Sequence, residues 1–451
     1  MSNFLPSKLV EALKHDFNID TDTFISTHES GEQVTSIRVN PAKRTTGFEH
    51  LSKVPWCNEG YYLEERPIFT IDPAFHAGAY YVQEASSMFI SHIIKTLELN
   101  SEPMVALDLC AAPGGKSTLL NSDLHQDGLL VSNEIIKTRV NILADNLTKW
   151  GNCNVVVTNN DPASFSRLPG FFDFMLVDAP CSGSGMFRKD RQTIKEWSEE
   201  SVELCSQRQQ RILADSISTL KEQGVLIYST CSYSIEENEH ISDWLTEHHG
   251  MQAIQIPFDH TWGIEETRSP IHHCPGYRFY PNKVKGEGFF VSCFIKKETQ
   301  HTFNIKKVKP EKSTLDKSLL NSWLDSQENL SFIRFKEDLL VLPKHHETNF
   351  QAIKNVLYIK KAGTNIGRMN KKELIPHHEL ALSTIKNKSI QEIDLSLEMA
   401  LTYLRKSDIS ITTDITGLAL ASYKGFALGW MKILPNRVNN YYPKEWRILN
   451  L

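Results

Sequence analysis

Between residues 102 and 297, short apolar runs rich in β-branched residues alternate with longer stretches of helical spacing. This alternation predicts a doubly wound α/β fold, in which helices cover a mostly parallel sheet. The runs contain few polar residues, which indicates strands buried on both faces. Of six runs, the first five are candidate core strands and the last a candidate sixth or seventh strand at the edge: 103–110, 128–134, 154–161, 172–180, 224–232 and 288–297. We therefore expect a Rossmann-like sheet at the centre of the chain.

With 451 residues, the chain is too long for a single ordinary core. Composition and pattern divide it into four parts. We predict an α/β N-terminal domain over 1–100 and the central domain over 101–299. A polar, basic linker over 300–317 then leads to a C-terminal extension over 318–451.

Periodic spacing places further elements outside the core strands. Apolar residues at helical intervals predict an amphipathic helix over 1–17, a helix over 80–94 that enters the central domain, and a longest helix over about 193–222. Near the C-terminus, two alternating strands over 416–433 flank a Lys-Gly pair suited to a tight turn. A small β-rich module is therefore expected at the end of the chain.

The net charge of -5 hides an asymmetry between the two ends of the chain. From Asn282 onward there are 27 Lys and Arg residues against 17 Asp and Glu, and before it there are 22 against 37. A basic C-terminal part is expected of a protein that holds a phosphate backbone. A Lys-rich solubilising surface would give the same count, so charge alone leaves both interpretations open.

Metal-binding and membrane classes are disfavoured by what the sequence lacks. Its eight cysteines are scattered, with no CxxC pair and no tight His and Cys grouping, so we predict reduced thiols and no metal site. No apolar run approaches the roughly 18 residues that span a bilayer, and the first residues do not have a secretory pattern. We therefore expect a cytoplasmic protein with no membrane partner.

A glycine-containing loop follows the first core strand, where the sequence reads DLCAAPGGK. In doubly wound sheets, ligands bind beyond the carboxyl ends of the strands, next to helix N-termini. The loop also resembles the end of a phosphate-binding P-loop, but that motif requires glycine at position 110, where cysteine stands. A plain strand-to-helix turn is the other alternative. We interpret the loop as a cofactor site whose candidate residues are Cys110, Ala111, Ala112, Pro113, Gly114, Gly115 and Lys116.

Two acidic residues at strand ends could complete this site. Glu134 ends the second core strand about 20 residues beyond the loop, where a carboxylate hydrogen-bonds a ribose in many nucleotide sites. Asp161 ends the third strand and is placed to border an adenine, although such a residue is equally suited to capping a helix. The pattern fits an adenosyl ligand.

The fourth and fifth core strands each end near a cysteine, Cys181 in DAPCSGSG and Cys231 in STCS. Two cysteines at neighbouring strand ends would suit one reaction in particular, the methylation of cytosine at carbon 5. That carbon is a poor nucleophile, so an enzyme that alkylates it must first add a nucleophile to carbon 6. A thiolate suits that addition. Asp178 is our candidate to hold ring nitrogen 3 protonated, with Lys116 as a nearby cation. The second cysteine could then assist expulsion of the first.

Together these motifs resemble the Sun-type RNA cytosine-C5 methyltransferases. The resemblance rests on DLCAAPGGKST, the strand-ending acidic residues, DAPCSGSG, YSTCSY and GFFVSCF, with RVNP and QEASS before them. It implies a class I S-adenosylmethionine-dependent methyltransferase sheet and S-adenosylmethionine as cofactor. It further implies cofactor contacts from Cys110 through Lys116 and at Glu134, Asp161 and Asp178, with Arg139 at a further family position.

The same resemblance assigns the two cysteines. In the family, the cysteine of the Thr-Cys motif, here Cys231, is the nucleophile, and that of the Pro-Cys motif, here Cys181, aids product release. DNA cytosine methyltransferases attack with the Pro-Cys cysteine instead, so Cys181 is the rival nucleophile. The YSTCSY context favours Cys231.

The C-terminal segments HHELALS, YKGFALGWMKI and NNYYPKEWRIL resemble the extension of bacterial small-subunit ribosomal RNA methyltransferases, which ends in a PUA-like module. This resemblance implies ribosomal RNA or the small ribosomal subunit as partner. Four aromatic residues of the extension could stack on exposed nucleotides or simply form its core: Trp430, Tyr441, Tyr442 and Trp446.

The expected function is therefore methylation of cytosine at carbon 5 in 16S ribosomal RNA, by a monomer, through a covalent bond between Cys231 and carbon 6. Transfer RNA is the alternative substrate. A non-catalytic RNA-binding assembly factor is a further alternative, against which the presence of both cysteines argues.

Overall fold

The computed structural model describes residues 4–43, 47–297, 317–370 and 373–449. The predicted linker lies outside these residues except for Lys317. The N-terminal part carries a four-stranded antiparallel sheet with strand order β2-β3-β1-β4. Its elements are α1 (Ser7–Phe17), α2 (Thr21–Glu29), β1 (Thr35–Val39), β2 (Lys53–Val54), β3 (Cys57–Leu63), α3 (Pro73–His76), β4 (Tyr80–Val82) and α4 (Phe89–Thr96). The predicted first helix is confirmed from Ser7 onward, with Leu9 and Leu13 buried.

The predicted helix over 80–94 is wrong in its first half. Tyr80–Val82 is a strand that pairs with β1. The helical segment begins only after Glu84, whose carboxylate accepts hydrogen bonds from the backbone N–H groups of Ser86 at 2.8 Å and Ser87 at 2.9 Å. A side chain that satisfies these free N–H groups starts a helix at a defined point.

The centre of the molecule is the predicted α/β sheet. Its five parallel strands have the order β7-β6-β5-β8-β9, and antiparallel strands continue it beyond β9. The elements are β5 (Val105–Asp108), α5 (Gly115–Asp123), β6 (Leu129–Asn133), α6 (Lys137–Trp150), β7 (Val155–Thr158), β8 (Phe172–Asp178), α7 (Gln192–Glu196), α8 (Glu199–Ser216), β9 (Leu220–Thr230), α9 (Glu239–His249), β10 (Met251–Ile254), β11 (Glu265–Arg268), β12 (Pro275–Phe279) and β13 (Phe289–Lys296).

Two expectations for this sheet are corrected. The strand predicted at its edge, β13, is interior, since β9 pairs with one side of it and β10 and β12 with the other. The longest predicted helix is broken, because Ser198 and Ser201 form a reciprocal capping box that starts α8 after α7 has ended.

In the described residues from 317 onward, the C-terminal part forms two further four-stranded sheets and one strand that joins the central sheet. That strand, β16, pairs antiparallel with β7. The elements are β14 (Leu330–Phe335), β15 (Asp338–Pro343), α10 (Glu347–Val356), β16 (Ile359–Ala362), β17 (Thr364–Asn370), β18 (Glu373–Pro376), α11 (His378–Leu382), β19 (Glu392–Asp394), α12 (Leu397–Leu404), β20 (Gly417–Tyr423), β21 (Phe426–Leu434) and β22 (Arg437–Asn440).

The hairpin predicted near the C-terminus is confirmed by β20 and β21. Its turn residues Lys424 and Gly425 both have positive φ, as a two-residue hairpin turn requires. Trp430 and Tyr442 are buried in the hydrophobic core of this region, whereas Tyr441 is 47% exposed. The burial of Trp430 and Tyr442 therefore supports their interpretation as core residues over a role in stacking on nucleotides.

Within the described residues, no helix combines the length and apolar character needed to cross a membrane. The same residues contain no group of three or more His, Cys, Asp or Glu side chains that could hold a metal ion.

Candidate active site

The ends of neighbouring parallel strands bring the predicted site residues to one edge of the sheet. The strands β6, β5, β8 and β9 are adjacent in that order, so the segments that follow them lie side by side. The loop 109–114 follows β5, and Glu134 follows β6. Cys181 and Cys231 follow β8 and β9. A ligand held by the loop would therefore lie beside the strand ends that carry the cysteines.

Side chains of α6 hold the candidate cofactor loop in place. Arg139 donates a hydrogen bond to the carbonyl oxygen of Ala112 at 2.7 Å, and Asn146 donates to that of Pro113 at 2.9 Å. Gly114 has φ of 114°, in the left-handed region that favours glycine, and α5 begins directly after it. The predicted loop is thus a defined turn that leads into a helix N-terminus.

Asp108, the last residue of β5, is a fully buried carboxyl group beneath this loop. Its Oδ2 accepts a hydrogen bond from the hydroxyl of Ser117 at 2.6 Å. Its Oδ1 is buried with no hydrogen-bond partner in the described part of the chain. Burial raises the pKa of this carboxyl to about 7, although the Ser117 hydrogen bond opposes the shift.

The two acidic residues predicted to contact the cofactor differ in their surroundings. Glu134 is 4% exposed, accepts a hydrogen bond from the N–H of Ile136 at 2.9 Å, and lies 3.6 Å from a guanidinium nitrogen of Arg139. Asp161 is exposed and caps a short 3₁₀ helix by accepting from the N–H of Ala163 at 3.0 Å. The capping role considered for Asp161 is therefore present in the structure.

The two candidate catalytic cysteines are in contact. Their sulfur atoms are 3.1 Å apart, and both residues are only partly buried. The hydrogen bond with Cys231 and burial together hold the pKa of the Cys181 thiol well above its usual value. These surroundings favour the protonated form of the Cys181 thiol, which contacts the sulfur of Cys231.

Asp178 lies between the candidate cofactor loop and the fifth core strand. Its Oδ2 accepts from the ammonium of Lys116 at 2.7 Å, and its Oδ1 accepts from the hydroxyl of Ser229 at 2.9 Å. Burial disfavours the charge on Lys116, but attraction to Asp178 outweighs this and raises the pKa of the lysine. The structure thus brings together the carboxylate and the cation that the sequence predicted as neighbours.

Three family models match successive parts of the chain. Residues 94–295 match the model described as 16S rRNA methyltransferase RsmB/F. Residues 5–85 match the N-terminal domain of 16S rRNA methyltransferase RsmF, and residues 390–448 match the methyltransferase RsmF PUA domain.

Two relatives match over nearly the whole length. The ribosomal RNA small subunit methyltransferase F of Aliivibrio fischeri strain MJ11 is 30% identical, and the match covers 91% of this chain and 90% of that protein. The protein of the same name from Vibrio parahaemolyticus is also 30% identical, with 98% and 97% covered. The chain belongs to the RsmB/F family of methyltransferases.

Structural comparison agrees with this membership in the RsmB/F family. The crystal structure of a methyltransferase homologue from Pyrococcus horikoshii is 26% identical, with a TM-score of 0.54, and the match covers 65% of this chain and 100% of that one. The resemblance found in the motifs is confirmed, and so is the fold of an α/β methyltransferase sheet with a C-terminal PUA domain. The protein is an enzyme, an S-adenosylmethionine-dependent methyltransferase.

The residues at the sheet edge fit the cofactor that RsmB/F enzymes use. The carboxylates of Glu134 and Asp161 are suited to accept hydrogen bonds from a ribose and an adenine amine. Asp108, directly before the loop, has one carboxyl oxygen, Oδ1, without a hydrogen-bond partner in the described part of the chain. These acceptors suit the hydroxyl groups, the adenine amine and the cationic amino-acid tail of such a cofactor.

Sequence reasoning missed two residues that organise this edge. Asn133 donates to the carbonyl of Leu109 at 3.2 Å and accepts from the hydroxyl of Thr158 at 2.9 Å, so it links three strand ends. Glu237 contacts the loops of both cysteines. An asparagine at the end of an apolar strand was a signal for the first, but nothing local to IEENEH marks the second.

Proposed function

We propose that this enzyme methylates carbon 5 of a cytosine in 16S ribosomal RNA and that Cys231 is its nucleophile. The observation that carries the proposal is the contact between Cys231 and Cys181, from neighbouring strand ends beside the cofactor loop. The reaction needs one thiol to attack the base and a second group to assist the departure of that thiol from the methylated product. The names of the relatives, which are small-subunit ribosomal RNA methyltransferases, support the choice of RNA.

The side chains at the site divide the work between them. The Cys231 thiolate adds to carbon 6, and the electron pair of the ring double bond moves toward ring nitrogen 3 through carbon 4. The Asp178 carboxylate, held by Lys116 and Ser229, stabilises the protonated form of that nitrogen. S-adenosylmethionine supplies the methyl group that carbon 5 then takes up. Glu134, Asp161 and the loop from Cys110 to Lys116 hold the cofactor.

Release of the product restores the aromatic ring. A base removes the proton from carbon 5, the electron pair of that bond forms the double bond to carbon 6, and the bond between carbon 6 and sulfur breaks. Cys231 leaves as a thiolate. The Cys181 thiol, whose sulfur lies 3.1 Å from that of Cys231 in this structure, is placed to donate a proton to it.

Ribosomal RNA is the proposed partner, and the basic balance of the C-terminal part supports binding to its phosphate backbone. A cytosine in structured RNA must leave its stack before carbon 6 can be reached, at a cost of a few kcal/mol. Contacts between the flanking domains and the RNA backbone are expected to offset this cost.

Bisulfite mapping of 16S ribosomal RNA tests the proposal. RNA from cells that lack the protein should lose a 5-methylcytosine that returns with the wild-type gene and not with Cys231→Ala. The purified Cys231→Ala protein should still bind S-adenosylmethionine, as should the control Cys205→Ala, which should also retain activity. If the 5-methylcytosine map of 16S ribosomal RNA is unchanged and that of transfer RNA is altered, the substrate is transfer RNA. If Cys231→Ala remains active, Cys231 is not the nucleophile.

A further inference from the structure

Glu237 is a buried carboxylate with no assigned role, located between the two cysteine loops. Its Oε1 accepts hydrogen bonds from the backbone N–H of Ser182 at 2.8 Å and from the amide of Gln209 at 3.1 Å. Its Oε2 accepts from the hydroxyls of Ser182 and Ser232, each at 2.5 Å. Four donors thus converge on one carboxylate, which compensates for the cost of burying it.

Three of these four donors belong to the residues next to the two thiols. Ser182 directly follows Cys181, and Ser232 directly follows Cys231. Gln209 of α8 also donates to the carbonyl oxygen of Pro180 at 3.1 Å, so the segment around Cys181 is held on both sides.

The neighbouring residue completes the attachment of the second loop. Asn238 donates to the carbonyl oxygen of Ser232 at 2.8 Å and accepts from the hydroxyl of Thr230 at 2.6 Å. The two loops also touch through their backbones, where the N–H of Gly185 donates to the carbonyl oxygen of Cys231 at 2.8 Å. A side chain at Gly185 would collide with that oxygen, since its Cβ would lie 2.8 Å away.

We propose that Glu237 is a positioning residue that holds the Cys181 thiol against the sulfur of Cys231 and thereby controls release of the methylated base. The inference rests on the proposed covalent function. Proton transfer from Cys181 to the departing Cys231 depends on the distance between their sulfur atoms. Glu237 does not itself react, but it holds the two loops that set this distance.

The negative charge of Glu237 also affects the pKa of the Cys181 thiol. The pKa of Cys181 is raised by its hydrogen bond to Cys231 and by burial, and the nearby Glu237 carboxylate raises it further. Burial also raises the pKa of Glu237 itself, while its donors oppose that shift. The carboxylate that holds the Cys181 loop therefore also favours the protonated form of the Cys181 thiol.

The decisive test measures the covalent protein-RNA adduct on a denaturing gel, with 16S ribosomal RNA and S-adenosylmethionine. Cys181→Ala, which lacks the proton donor, is the reference for trapped adduct. Glu237→Ala should accumulate adduct about 10-fold above wild type with Cys181 still present, and the adduct should disappear when Cys231→Ala is added. The value of kcat should fall without a rise in KM for the RNA. General misfolding would instead lower adduct and activity together.

Three further variants separate geometry from folding. Glu237→Gln keeps the acceptor for the N–H of Ser182 and can donate to the two hydroxyls, so it should restore release in part. Glu236→Ala, an exposed neighbour, should behave as wild type. The double variant Ser182→Ala with Ser232→Ala removes both hydroxyl donors by small truncations and should accumulate adduct even if Glu237→Ala does not fold.

The outcomes distinguish this inference from the proposed function. If Cys181→Ala traps no adduct, the covalent function itself fails. If Cys181→Ala traps adduct while Glu237→Ala and the double serine variant remain at the wild-type level, the function stands and the role of Glu237 is overturned.

Discussion

The sulfur atoms of Cys181 and Cys231 lie 3.1 Å apart although the residues are 50 positions apart in the chain. They meet because β8 and β9 are adjacent and parallel, so the segments after them leave the sheet at the same edge. Two thiols in contact can have different roles: one can bond to the base, and the other can assist the breaking of that bond.

Replacement of Cys181 by alanine should trap the enzyme on its RNA. The methylated base would remain bonded to Cys231, because the proton donor for the departing sulfur is missing. A slowly migrating protein-RNA band on a denaturing gel measures this. Cys205→Ala should give no such band, and a band that survives replacement of Cys231 would contradict the assignment of the two thiols.

Replacement of Asp178 by asparagine should slow methylation with little change in fold. The amide cannot stabilise a protonated ring nitrogen as a carboxylate does, so we expect kcat to fall by about 100-fold or more. Single-turnover methylation of 16S ribosomal RNA measures the effect. Asp173→Asn, at the other end of the same strand, is the matched control and should remain active. Equal rates for the two variants would remove Asp178 from the mechanism.

Replacement of Glu134 by glutamine should weaken the binding of S-adenosylmethionine. A neutral amide is a weaker acceptor for ribose hydroxyls than a carboxylate, and loss of one such bond corresponds to about a 10-fold higher Kd. Isothermal titration calorimetry gives the Kd directly. The exposed Glu102→Gln is the control. A Kd equal to that of wild type would show that Glu134 is not a cofactor ligand.

Asp108 should make the stability of the protein depend on pH. Burial raises its pKa to about 7, above the value of the unfolded chain near 4. Between these values the unfolded chain loses the proton and the folded protein keeps it, so the free energy of unfolding falls as pH rises from about 4 to about 7. The curve should be flat in this respect below and above that window.

Urea unfolding of wild type and Asp108→Asn across this range isolates the contribution. Wild type should lose stability relative to the variant between about pH 4 and pH 7, with parallel curves outside it. The exposed Asp408→Asn should follow wild type throughout. Parallel curves for wild type and Asp108→Asn across the window would mean that the Asp108 carboxyl titrates normally.

The core strands could be predicted from the amino-acid sequence, which also marked the candidate cofactor loop and the two candidate thiols. Strands buried on both faces must be apolar along their length, so their positions are visible as continuous runs. The carboxyl ends of parallel strands share one edge of the sheet, and for this reason the sequence alone predicts that Asp178, Cys181 and Cys231 lie close together.

Features that depend on pairing between distant segments could not be predicted from the sequence. No local pattern shows that β13 is interior or that β16 joins β7, because a strand partner is chosen by long-range packing. Glu237 is a further case, since its importance comes from donors 55 residues before it and 5 residues before it. A buried carboxylate is stable only where hydrogen-bond donors surround it. Most of the donors to Glu237 come from distant segments, so they are brought together only in the folded protein.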